Sequence, residues 1–118
     1  MKIESVFPIL YSEDVHRSIV FYTEVLGFPD SWSWDDEPTF GGVVNGDFSI
    51  FFCKGGQGHK GTWLALNVDN VDKFYELIKD KNAEISGPPE DKPWFMREML
   101  VKDPDGHILR VGQNINCD

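Results

Sequence analysis

Residues 101–113, VKDPDGHILRVGQ, decide how the chain is read. Asp103-Pro104-Asp105-Gly106 is a turn signal, because proline presets φ and glycine accepts a positive one. The residues that follow read as a strand. Side chains alternate along a strand, so Leu109 and Val111 share one face while Ile108, Arg110 and Gly112 share the other. An arginine on an inward face needs a partner, since a buried unpaired guanidinium costs on the order of several kcal/mol. Arg97 and Glu98 lie next to one another in the preceding strand, FMREMLV, and face opposite ways; only one of them can reach Arg110.

Working outward, FMREMLV and HILRVG form a hairpin about the turn. TWLALNV is a strand further upstream, and Asp69-Asn70 cap a helix carrying Val71, Phe74, Tyr75 and Ile78. GPPEDKP between helix and hairpin reads as a loop. The first half repeats this plan. VFPILY is a strand, Ser12-Glu13-Asp14 offer caps, and Val15, Ile19, Tyr22, Val25 and Leu26 form a helical apolar stripe closed by Gly27. From Trp32 to Phe40 the chain is acidic, aromatic and loop-like; then GGVV, the Asn45-Gly46 turn and FSIFF make a hairpin. Sliding the sequence by 56 residues lays EDVHRSIVFYTEV over DNVDKFYELIKDK, so caps and stripes coincide.

These observations predict an α+β fold of two βαβββ modules in one chain, residues 1–55 and 62–118, joined by a glycine-rich linker over 54–61. The expected arrangement is a curved mixed sheet with helices outside and a cleft within, because neither module alone covers its sheet's second face. With 118 residues, 41% hydrophobic and 14% aromatic, the chain has the material for one globular domain. A formal net charge of −9 argues against nucleic acid and anionic membranes as partners and favours a neutral or cationic ligand. No apolar run reaches membrane-spanning length and no signal peptide is evident, so a cytoplasmic location is expected. Cys53 and Cys117 then read as free thiols.

EDVHRSIVFYTEVLGF followed by DPDGHILRV resembles the vicinal oxygen chelate superfamily of glyoxalases, extradiol dioxygenases and bleomycin resistance proteins, over essentially the whole chain. The resemblance implies the two-module fold just described. In the metal enzymes of that superfamily, His, Gln or Glu on the first and last strands of each module point into the cleft. The corresponding places here are Phe7, Ile50, Trp63 and Arg110. Where DPDGHxxE in those enzymes supplies a glutamate, DPDGHILR supplies Arg110, and a guanidinium has no lone pair to give a metal. The resemblance therefore implies no metal, no other cofactor and no catalytic residue.

FPILYSEDV, DDEPTFGGVV and GPPEDKPWFMREMLVKDPDG resemble the bleomycin resistance proteins, which sequester a planar, cationic drug without chemistry. That likeness implies a homodimer and ligand contact by Trp32, Phe40, Trp63, Trp94 and Arg110, with Asp35, Asp36 and Glu37 as an acidic rim. Of Trp32 and Trp34, one is expected to meet the ligand and the other to pack. His16 falls on the exposed side of the first helix, His59 in the linker, and His107 at a strand start where a structural role is expected. The rival reading is a metal-dependent lyase or oxygenase of the same fold using unrecognised ligands such as His59, His107 and Glu98. A third is an interaction module whose cleft is filled by its own aromatics.

Overall fold

The computed structural model of the chain describes residues 1–115, and these divide into two compact units, residues 1–60 and 61 onward. In the first unit β1 (Ile9–Tyr11) precedes α1 (Val15–Val20), and β2 (Asp30–Ser33), β3 (Phe40–Asn45) and β4 (Phe48–Cys53) follow. The strand order is β1-β4-β3-β2, with β1 parallel to β4 and the rest antiparallel. In the second unit β5 (Trp63–Asn67) and α2 (Val71–Ile78) precede β6 (Glu84–Ile85), β7 (Glu90–Lys92), β8 (Met96–Lys102) and β9 (Ile108–Asn114). Here the order is β5-β9-β8-β6, with β7 also paired to β8 and β5 parallel to β9. The α+β class and the β-α-β order of both halves agree with the sequence expectation.

Both helices start where capping chemistry places them. Asp14 accepts the Arg17 amide at 3.1 Å and Asn70 accepts the Lys73 amide at 3.0 Å. The first helix widens by one residue over Phe21–Val25, where the Leu26 amide bonds to the Phe21 carbonyl. Tyr22 and Leu26, four residues apart, both lie on the buried face, and Gly27 at φ 88° ends the element. Each helix covers one face of its own sheet. The α1 helix packs on β3 and β4, where Val15, Val43, Ile50 and Phe52 are buried and the Tyr22 ring that follows lies 4.9 Å from Phe52. The α2 helix packs on β8 and β9, where Val71, Ile78, Met99, Val101, Leu109 and Val111 are buried.

Three sequence expectations need correction. The first strand begins after Pro8, so Phe7 precedes it; Pro8 has no amide to donate, and its carbonyl accepts the Phe51 amide at 3.0 Å. Glu90–Lys92 is a strand rather than part of a loop. Gly87-Pro88-Pro89 interrupts pairing along the edge of β8, and β6 and β7 are the two pieces on either side. Trp32 lies in β2, opposite Gly42, and not in a loop. Cys53 is a free thiol, whereas Cys117 lies outside the described residues.

The helix of the second unit is tied to its sheet by charge. Arg97 donates from Nε and Nη2 to Asp72 at 2.9–3.2 Å and from Nη1 to Asp91 at 3.0 Å. The hydrogen bonds and charge of Arg97 hold the Asp72 carboxyl below its usual range. A depressed folded value means the contribution is present above the unfolded aspartate value and is lost as pH falls through the folded one. Asp72→Asn is therefore expected to lower the urea midpoint at neutral pH. The difference from wild type should shrink as pH falls through the folded Asp72 value, where the wild-type side chain becomes neutral like that of the variant.

Candidate functional site

The DPDGH motif acts as a bracket. Asp103 is buried, and its Oδ1 accepts the amides of Asp105 and His107, each at 2.9 Å, while Gly106 takes φ 81°. This delivers the fully buried His107 to Thr62, whose amide donates to His107 Nδ1 at 3.0 Å and whose carbonyl accepts the Ile108 amide at 2.9 Å. Thr62 is the residue before β5. The bracket thus fixes the parallel register of β5 on β9, which sets Trp63 opposite Ile108 and Ala65 opposite Arg110. His107 is structural, as its place in the sequence suggests, and it positions Trp63.

Arg110 finds its partner on β8. Leu100 is directly opposite it, and Glu98, opposite Gly112, is the diagonal neighbour on the same face. Arg110 Nε donates to Glu98 Oε2 at 2.9 Å; the Arg110 side chain is 42% exposed and that of Glu98 only 8%. A Cβ on Gly112 would stand 3.2 Å from Glu98 Cγ and 2.9 Å from the Met96 methyl, so the missing side chain is what lets Glu98 lie across the strand. Trp94, in the turn between β7 and β8, places its ring 5.3 Å from Arg110 Cζ. The next residue, Phe95, takes φ 63°, a left-handed conformation unusual for a bulky side chain, and completes that turn. Together Trp63, Trp94, Lys92, Glu98, Leu100 and Arg110 line a pocket of about 380 Å³ in the second unit, within the size range of small-molecule sites.

The first unit presents an aromatic face. Trp32 lies 5.4 Å from Phe40 and 4.9 Å from Phe51, Phe40 lies 5.6 Å from Phe51, and Phe7 lies 4.3 Å from Phe51. The Gly41-Gly42 pair makes this possible. A Cβ on Gly41 would stand 3.1 Å from both Val15 and Ile19 on the helix side, and one on Gly42 would stand 3.0 Å from the Trp32 indole nitrogen on the other. Ile50 is buried on the helix face, so the strand position expected to look away from the helix is held by Phe51 instead. A one-residue shift in a period-two element exchanges the faces.

The sequence-derived residues are therefore not all brought together. Trp63, Trp94 and Arg110 share the pocket of the second unit; Trp32 and Phe40 share the aromatic face of the first. Trp34 is 72% exposed, so of the two neighbouring tryptophans it is Trp32 that packs against other rings. Asp36 and Glu37 line a separate hollow in the first unit with Glu13, Asp14, His16 and Lys54, and Asp35 is exposed. The sequence presents Glu98 as one of two candidate partners of Arg110, and the bond selects it over Arg97; Lys92 and Phe51 were not singled out. Strand parity was the available signal for Phe51; Lys92 was hidden by the reading of its segment as a loop. Among the described residues no three His, Cys, Asp or Glu side chains cluster so as to hold a metal ion, and no helix is long and apolar enough to cross a membrane.

Comparison with known proteins places this geometry. Residues 3–111 match the family profile of the Glyoxalase/Bleomycin resistance protein/Dioxygenase superfamily. YraH of Bacillus subtilis (strain 168), an uncharacterized protein, is 25% identical over 118 residues, covering 86% of this chain and 91% of that one. The fold is similar to that of TnmS3, an antibiotic binding protein from Streptomyces sp. CB03234, with a TM-score of 0.82 at 22% identity over 97% of this chain and 98% of that one. It is also similar to a bleomycin resistance determinant encoded on the transposon Tn5, with a TM-score of 0.76 at 26% identity over 95% and 98% of the two chains.

The exposure difference within the ion pair predicts an asymmetric response to mutation. Arg110→Leu leaves the nearly buried Glu98 carboxylate without its partner, whereas Glu98→Leu leaves a guanidinium that water can reach. Arg110→Leu is expected to cost about 1–3 kcal/mol in denaturant titration, and Glu98→Leu about 1 kcal/mol or less. Equal losses would contradict the asymmetry.

Proposed function

Because the chain belongs to the Glyoxalase/Bleomycin resistance protein/Dioxygenase superfamily, we propose that it binds a flat small molecule and protects by sequestration, without chemistry on the ligand. The observation that carries this reading is the pocket of the second unit, where a guanidinium fixed by Glu98 lies against the Trp94 indole and Trp63 lines the same cavity. Its walls offer ring faces and donors, the materials of recognition, and no activated nucleophile or base–orienter pair. The residues at the superfamily's metal-ligand places do not fit a metal: phenyl, indole and guanidinium groups give no donor pair to a divalent ion, and with Phe51 in place of Ile50 the set stays the same in kind. The names of the antibiotic-binding and bleomycin-resistance relatives support a drug-like ligand.

A ligand ring would lie against Trp63 and Trp94, with stacking worth about 0.5–1.5 kcal/mol per ring beyond the area buried. Trp32 and Phe40 offer a second stacking surface on the first unit, and Asp35, Asp36 and Glu37 would act through long-range attraction of a cation rather than by contact in this pocket. We place the protein in the cytoplasm as a homodimer. Strands β1 and β5 end their sheets' orders, and Pro8 removes a donor where β1 begins, the kind of open edge a second copy can cover.

A bleomycin-class drug is the first ligand to test, since it is flat and cationic. Saturable quenching of tryptophan emission is expected, and Trp94→Ala should lose about 1–3 kcal/mol of binding. Neutralising Asp35, Asp36 and Glu37 should change mainly the salt dependence. No saturable quenching by this or any other flat aromatic compound, from folded protein, would remove the binding reading. Sedimentation at high concentration is expected to give twice the chain mass; a strict monomer would exclude the dimer.

A further inference from the structure

Arg110 spends one of its five N–H donors. Nε donates to Glu98, and Nη1 and Nη2 have no acceptor among the described residues although the guanidinium carbon lies 5.3 Å from the Trp94 ring. The reason lies in the strand register: Glu98 approaches on the diagonal from its position opposite Gly112, meets the Nε side of the fork, and leaves the end-on edge open. A saturating carboxylate would make two parallel bonds to a guanidinium, so this one is held in place but not satisfied. Leu100 and Ala65, the residues opposite Arg110 on the two flanking strands, carry no acceptor side chain.

The charges that line the pocket also cancel before a ligand arrives. Arg110 is paired with Glu98, and Lys92 Nζ is 3.4 Å from Glu90. A cationic group entering would find Glu98 buried behind its partner. An anionic group would find four N–H donors in one plane beside two indoles. The chain's net charge of −9 acts through solvent and is screened over about 8 Å at physiological salt, whereas the guanidinium acts by contact.

Resting on the binding reading above, we propose that the end-on edge of Arg110 recognises an ionised carboxylate carried by an aromatic ligand, the ring lying against Trp63 or Trp94. The site thus selects planar aromatic carboxylates over neutral and cationic analogues of the same shape.

Three probes of one shape test this by calorimetry at neutral pH: 2-naphthoate, 2-naphthylmethanol and 2-naphthylmethylammonium. Naphthoate is expected to bind about tenfold or more tighter than either analogue, the usual gain of a charge-assisted pair of hydrogen bonds. In Arg110→Lys, which keeps the charge but loses the planar fork, that preference of naphthoate over the alcohol should fall to about twofold or less. Arg110→Gln serves the same purpose if the lysine variant melts earlier than wild type. Tighter or equal binding of the alcohol or the ammonium, or an undiminished preference in the variant, overturns the carboxylate assignment and leaves the binding function standing. If none of the three binds folded wild-type protein, the carboxylate assignment falls, while the binding function is decided separately by the quenching titration with a bleomycin-class drug.

Discussion

The bond from Arg110 to Glu98 is the constraint on which the pocket depends. It joins two antiparallel strands on the face turned away from α2, and it settles where a large charged side chain lies among indoles and leucine. A half-exposed arginine can be hydrated, so the pair need not stabilise the fold strongly; its value is orientation. With Nε fixed and Trp94 over the guanidinium, the plane of the fork is set before any ligand binds. Such preorganisation is what separates a recognition group from a mobile surface charge.

The neighbouring elements are built to keep that geometry. The DPDGH turn closes on itself through Asp103, presents His107 to Thr62, and by doing so fixes Trp63 in register with the strand bearing Arg110. Gly112 makes room for Glu98, as Gly41 and Gly42 make room for the helix and the indole on either side of β3. In each case a residue without a side chain is placed where two layers approach closely. The DPDGH motif is thus architectural: it closes the turn, sets the register of β5 and leads into the strand that carries Arg110.

Much of the fold was legible because its signals are local. Asp14 and Asn70 cap the helices predicted from them, the 56-residue offset reflects two halves with the same strand–helix order, and alternation correctly put Arg97 and Glu98 on opposite faces. What failed depended on parity or on context. Nothing in FSIFF distinguishes the face of Ile50 from that of Phe51, since both are apolar and only the register on β3 decides. Glu90–Lys92 is charged and flanked by prolines, so local composition hid a strand that exists because β8 offers it an edge. The site was legible in part. Trp63, Trp94 and Arg110 do meet, but Asp36 and Glu37 share a hollow with the start of α1, a placement set by tertiary packing that no spacing in the sequence encodes.

The central claim is that the ligand enters the pocket of the second unit and touches the fixed guanidinium. Nitrogen–proton correlation spectra resolve the four indole N–H groups and the arginine Nε–H groups separately, so titration with a flat aromatic ligand reports the place of binding directly. The largest shifts are expected at the indoles of Trp63 and Trp94 and at Arg110 Nε–H. Shifts confined to Trp34 and the backbone of the acidic loop, with Arg110 and Trp63 unmoved, would contradict it.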